Sequence, residues 1–240
     1  MTLLSVVRDV CAAVGVTLPQ SVFSNITGNR TMQELLSLAN EMAQRIAYDT
    51  RDWTMLRQQA AIAGDGLNVG FSLPANYKRM LLTTNVRLST SASQPLRFMP
   101  DIDQWSQRRL ANQTDGWGEW TMVQGKILIW PIMPIGTTAT FNYLDKNCVA
   151  LSSGGYGDVF MNDADTFRLD ERLLKLAMIY QWKAQKGSSY AEDMSTYGDA
   201  LTVAMGHDAP APILIDRKPI SAHTKLVAQS HTIYVPGMVP

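Results

Sequence analysis

Cysteine is nearly absent from this chain. Its 240 residues hold two, Cys11 and Cys148, and no C-x-x-C pair. That excludes a disulfide framework and fits a reducing compartment. Cys11 falls in an apolar helical phase and reads as a buried thiol. Histidine is scarce as well. His207, His223 and His231 all come late, none four residues from another, so no converging set of metal ligands is expected. A surplus of either charge is missing, with 21 Lys+Arg against 21 Asp+Glu and a formal net charge of +0. Proteins that neutralise many phosphates carry a basic surplus, so tight nucleic-acid binding by a single copy is not expected. No stretch approaches about 18 uncharged apolar residues, so no membrane span is expected. The opening "MTLLSVVRDVCAAVG" is interrupted by Arg8 and Asp9 and lacks a basic flank, which is not the pattern of a signal peptide.

What is present is apolar and weakly charged: 46% hydrophobic residues against 18% charged. The length suffices for one large domain or two small ones with their own core. Low charge with an apolar surplus argues for surfaces covered by other protein.

Helical periods occupy both ends. Thr2 can cap a helix running to about Val14 and stopped by Gly15, with Leu3, Leu4, Val7, Val10, Cys11 and Val14 on one face. A second helix is predicted from "TMQE", where Thr31 and Glu34 suit a capping box, to near Asp49. Leu35, Leu38, Ala39, Met42, Ile46 and Trp53 continue its stripe. The middle changes period. "WGEWTMVQGKILIWPIM" predicts a hairpin turning at Gln124-Gly125, "TTATFNYLDKNCVAL" alternates as a strand, and "LNVGFSLPANYKRMLLTTNVRL" holds shorter runs. Asp101 can cap a short helix over "IDQWSQRRLAN", and "SSGGYGDVFMNDADTF" reads as a loop. Asp170 then caps a helix with Leu173, Leu174, Ala177, Met178 and either Gln181 or Trp182 inward, ended by Gly187. Ser189 and Glu192 suit another capping box, followed by Tyr190, Met194, Tyr197, Leu201 and Ala204 at helical spacing.

These readings predict an α+β fold. A helical bundle forms from 1–57 and 164–208, an antiparallel β domain is inserted at 58–163, and an extended arm follows at 209–240. The arm holds five prolines and no helical period, yet many apolar side chains, so it is expected to dock on another protein.

Candidate chemistry is thin. Asp158, Asn162, Asp163 and Asp165 match a calcium loop in composition but not in the placing of its Gly and terminal Glu, so a solvated turn is expected. Glu119 between Trp117 and Trp120 could serve a glycan site, but no second acid is assignable. "SSGGYGD" lacks the lysine of a phosphate loop. Neither a catalytic residue nor a cofactor is expected. Two small basic groups, Lys78 with Arg79 and Arg108 with Arg109, could line a channel if copies form a ring.

The order of elements resembles a known family. "LPANYKRML" after a helix pair ending in Trp, then "GKILIWPIM", "ATFNYLDKN" and "LDERLLKLAMIYQWKAQKGSSYAEDMSTYGDAL", resembles the head-to-tail adaptor (connector) proteins of tailed bacteriophages, of the tail tubular protein A type. The likeness spans about residues 1–208, and its last motif falls on Trp182, Lys183, Lys186, Gly187, Tyr190, Ala191 and Glu192. It implies a virion structural protein, made in the host cytoplasm and placed at the portal vertex, with no catalytic residue and no membrane contact. Copies would form a ring of about twelve, closed by heterologous contacts. The ring would join the portal protein to a downstream tail or nozzle protein, around double-stranded DNA bound without sequence specificity. In the arm, Ile213, Ile215, Leu226, Ile233, Tyr234 and Val235 are the expected partner-binding residues. The alternative is a virion-associated glycan hydrolase or glycan-binding module built on Trp117, Glu119 and Trp120.

Overall fold

Helices flank a central set of strands, so the fold is α+β. The computed structural model describes residues 1–24, 28–82, 84–114 and 116–208, and the arm at 209–240 lies outside them. In chain order come α1 (Leu3–Val14), α2 (Arg30–Tyr48), β1 (Arg57–Ala63), β2 (Gly70–Ser72), β3 (Tyr77–Met80), β4 (Arg87–Leu88), β5 (Arg97–Phe98), α3 (Ile102–Leu110), β6 (Glu119–Val123), β7 (Lys126–Trp130), β8 (Thr138–Asp145), β9 (Val149–Ala150), β10 (Tyr156–Gly157), β11 (Thr166–Phe167), α4 (Glu171–Gln185) and α5 (Ala191–Asp208).

The helix caps explain the helix limits. The Thr2 hydroxyl accepts the Ser5 N–H, and Gly15 closes α1 with its N–H on the Cys11 carbonyl. α2 starts earlier than its sequence suggests. Asn29 is the cap, its side chain accepting the Met32 N–H, so Thr31 already lies inside the first turn. Asn ranks with the strongest caps and takes the orphan amide first. Glu34 is then free of a capping role and pairs with Arg30 and, at 2.6 Å, with Lys186. Asp170 caps α4 through the Arg172 N–H. At its other end the Ser188 N–H reaches the Lys183 carbonyl and the Gly187 N–H reaches Ala184, with Gly187 at φ 69°. This Schellman closure needs the left-handed residue that glycine supplies. Ser189 and Glu192 form no capping box, because α5 begins only at Ala191 and the Tyr190 carbonyl accepts the Met194 N–H.

One hydrophobic centre joins these helices. Val6, Val7 and Val10 of α1, Leu35, Leu38 and Ile46 of α2, and Leu173, Leu174, Met178 and Trp182 of α4 are buried together. Leu144 of β8 joins them, with Cys148, Val149 and Phe160 from the stretch between β8 and β11. Of the two candidates at the end of the α4 stripe, Trp182 is the buried one. The predicted α5 stripe is only half realised. Tyr197, Leu201 and Ala204 pack against the centre, but Tyr190 and Met194 are exposed, and no residue of α5 is fully buried.

A second centre lies among the strands. β8 pairs antiparallel with β1 on one edge and with β3 and β4 on the other. β6 and β7 form the predicted hairpin, with Trp120 opposite Ile129. Gln124 and Gly125 turn it at φ 50° and 72°, the positive pair that a two-residue hairpin turn of matching twist requires. One short pair, β5 with β6, runs parallel. Side chains alternate across each strand, so Phe141, Tyr143, Ile127, Ile129 and Trp120 meet inside.

The stretch read as a loop, "SSGGYGDVFMNDADTF", contains β10 and β11, both paired with β9. Its organiser is Asp165, whose buried carboxylate accepts the N–H groups of Ser152, Met161 and Asn162 at 2.7–2.8 Å. Such short pairs carry no periodic signal, which is why they escape a pattern reading. Arg168, just past β11, ties the parts together. It donates to Asp145 at 2.8 Å, to the carbonyls of Asn147 and Met55, and stacks on the Tyr156 ring at 4.1 Å.

Two outcomes follow from this packing. Trp182→Ala should cost about 3–5 kcal/mol, seen as a large drop in thermal midpoint. Burial alone would push the Asp165 carboxyl up, but the three amide bonds outweigh it and hold it below its ordinary 3.8. A depressed carboxyl stabilises the fold above its unfolded value, and that share is lost as pH falls through the folded one. Urea titrations from neutral pH down through about pH 3 should therefore show falling stability. Asp165→Asn should be weaker at neutral pH and show a shallower acid loss.

Candidate functional site

The four basic residues expected to line a channel sit on two elements, and each is engaged. Lys78 on β3 places its ammonium 4.7 Å from the centre of the Tyr48 ring. Arg79 pairs with Asp52. Arg108 on α3 pairs with Glu119, and Arg109 lies 5.7 Å from the Trp105 ring centre. Arg79 and Arg108 are thereby matched by carboxylates.

The aromatic and acidic group at 117–120 forms no open cleft. Trp117 is 57% exposed, whereas Glu119 is 0% and Trp120 7% exposed. Glu119 and Trp120 are successive residues on β6, so their side chains leave on opposite faces. Trp120 enters the strand core beside Phe98, at 4.6 Å between ring centres. Glu119 points the other way, against Arg108. A carboxylate so enclosed does not present itself to a sugar, and its neighbours in sequence are not its neighbours in space.

Asp163 and Asp165 spend their oxygens on backbone amides, Asp163 on the Val22 N–H at 2.8 Å. Among the described residues no group of three His, Cys, Asp or Glu side chains could hold a metal ion. Burial pushes both thiols up, Cys148 to about 11, so neither is a ready nucleophile at neutral pH. Burial also raises the Tyr48 phenol, which donates to the Lys146 carbonyl. His207 is exposed on α5. His223, His231 and the six expected partner-binding residues, Ile213, Ile215, Leu226, Ile233, Tyr234 and Val235, lie outside the described residues.

Two surfaces were not singled out by motif. One is a cleft of about 290 Å³ lined by Trp53, Met55, Leu169 and Ala204 together with Arg168, Asp170, His207 and Asp208. Asp208, the last described residue, accepts from the Thr54 N–H at 3.1 Å and faces Arg51 at 3.5 Å. The other is a polar groove on the outer face of the β1–β8 sheet. It consists of adjoining clefts of about 170 and 480 Å³ that share Gln59, Thr84 and Asn142. Its signal in the sequence is the polar phase of "RQQAAIA" and "TATFNYLD", legible only once the two strands are paired.

Matching the chain against protein-family models returns no family, and matching it against curated proteins returns no relative.

The Glu119–Arg108 pair has a testable energetic signature. Removing one partner strands a buried charge, so Arg108→Met should cost about 3–5 kcal/mol. Arg108→Met with Glu119→Leu should recover much of that loss in denaturant titrations. A single variant as stable as the native chain would show that the pair is not structural.

Proposed function

We propose that this chain is a virion structural protein, a head-to-tail connector. Its copies form a ring that joins the capsid portal of a tailed bacteriophage to the tail, with the genome passing through the centre. The observation that carries this reading is the α4–α5 hairpin, on which the most specific sequence resemblance falls. Trp182 is buried in it, Lys183 pairs with Asp193 at 2.6 Å, and Lys186 stacks on Trp182 at 4.6 Å. The hairpin is thus clamped from within, while α5 buries no residue of its own. A rigid element with one open flank suits repeated heterologous contacts, which close into a ring when the rotation matches. Low net charge lets copies pack without mutual repulsion.

In this reading the ring has about twelve copies, set by the symmetry of its portal partner. The segment 209–240 anchors each copy to the portal or a neighbour, through Ile233, Tyr234 and Val235 above all. A tail or nozzle protein binds the opposite end. The reading assigns the chain no covalent chemistry. It places the protein at the portal vertex of the virion after synthesis in the host cytoplasm. No described helix is long and apolar enough to cross a membrane.

Mixing the full chain with the portal protein of the same virion should give a complex whose mass matches a closed ring. Deleting 209–240 should leave the thermal midpoint unchanged and abolish that complex. A truncated chain that joins portals as well as full length would remove the arm as the anchor. A full chain that never associates with the portal would remove the reading itself.

A further inference from the structure

Several arginines of this fold are cancelled locally. Arg79 faces Asp52, Arg168 faces Asp145, Arg51 faces Asp208, and Arg30 and Arg45 face glutamates one turn away. Three are held by backbone carbonyls instead: Arg8, on Pro19 and Gln20, and two on the β1–β8 sheet, Arg57 and Arg87. Arg57 donates through Nε and Nη2 to the Asp52 carbonyl, at 3.3 and 2.9 Å. Arg87 donates through Nη1 to the carbonyls of Ala92 and Ser93, at 2.8 and 3.4 Å. A neutral carbonyl fixes a guanidinium without neutralising it. Each therefore keeps a full charge in a set position and has donors left over, since a guanidinium carries five.

Both line the polar groove on the β1–β8 sheet. The pairing register explains the surface between them. Ala60, Phe141 and Tyr143 point into the strand core, so Gln59, Thr140 and Asn142 point out. Arg87 sits opposite Thr140 on the neighbouring strand. The Thr84 hydroxyl takes the Asn142 N–H and so holds the rim of the groove against β8. No carboxylate is among the described residues lining either cleft. The groove thus presents guanidinium, amide and hydroxyl groups and nothing that repels an anion. Along four residues of strand and across two strand spacings, the Cα atoms of Arg57 and Arg87 lie roughly 16 Å apart. That is the reach of four to five base-pair steps at about 3.4 Å each.

We propose that this groove is the surface that meets the phosphodiester backbone of double-stranded DNA. The inference rests on the connector reading above and replaces Lys78, Arg79, Arg108 and Arg109 as the DNA-facing set. Arginine, amide and hydroxyl donors on phosphate position a duplex without reading its sequence. Two uncancelled cations per copy give weak contact, which suits DNA that must pass rather than stay.

The test uses the full chain and a short labelled duplex of mixed sequence, followed by fluorescence anisotropy at low ionic strength. Arg57→Gln with Arg87→Gln should weaken binding about tenfold and flatten the salt dependence by about two in log–log slope. Lys78→Gln with Arg109→Gln should cause a loss below about threefold, since neither cation lines the groove. Thermal midpoints of both variants should stay close to that of the native chain, because Arg57, Lys78 and Arg109 are exposed and Arg87 is only half-buried. The proposal is overturned if the larger loss follows Lys78 and Arg109. It is also overturned if the Arg57/Arg87 variant binds like the native chain. It is overturned too if a synthetic 209–240 peptide, and not the duplex, shifts the amide signals of Gln59 and Asn142. Portal association is measured in parallel. Its failure with arginine-dependent duplex binding intact counts against the connector reading alone. Loss of the arginine dependence with portal association intact counts against the groove alone.

Discussion

The structure turns on one buried ion pair. Arg168 and Asp145 are 7% and 2% exposed and 2.8 Å apart. Taking two charges out of water is costly, and attraction alone rarely repays it. Here Arg168 also donates to the carbonyls of Asn147 and Met55, and its flat face lies on Tyr156. Each of those groups belongs to a different piece of chain: the end of β8, the turn before β1, and β10. The pair therefore does what a continuous apolar core would do elsewhere. It fixes where the strands leave the helices, and it does so with directional bonds that tolerate one arrangement.

That choice has a counterpart in the two hydrophobic centres. The helical centre draws in Leu144, near the end of β8, and Cys148 just past it, while Phe141 and Tyr143 of the same strand face the strand centre. One strand thus contributes to both. Because its side chains alternate strictly, a one-residue slip of β8 would move each set to the wrong side. Pairing with β1 along seven residues and with β3 and β4 on the other edge makes such a slip expensive.

Much of this was legible in the sequence where the determinants are local. Thr2, Asp101 and Asp170 cap the helices they were expected to cap, and Gln124-Gly125 turns the hairpin. The reading failed where two local signals competed or where the cause was distant. Asn29 outcompeted Thr31, and Ser189 stood too far before Ala191 to cap. The β10 and β11 strands depend on Asp165 gathering three amides, which no period announces. The burial of Glu119 depends on α3 bringing Arg108 to it. Surface charge was the least legible of all. The uncancelled arginines are distinguished from the cancelled ones only by whether a carbonyl or a carboxylate stands in front of them.

The clamp at the end of α5 also sets how the fold carries load. Asp208 is bonded to Thr54 and Arg51, in the short link between α2 and β1. Tension entering the chain beyond Asp208 is delivered first to that link, where Trp53 is anchored by its indole N–H on the Ile46 carbonyl at 2.7 Å. Part of that load passes on to β1, whose seven-residue ladder on β8 is the longest strand pairing among the described residues. α5, which buries no residue of its own, therefore does not carry the whole load alone when the molecule is pulled.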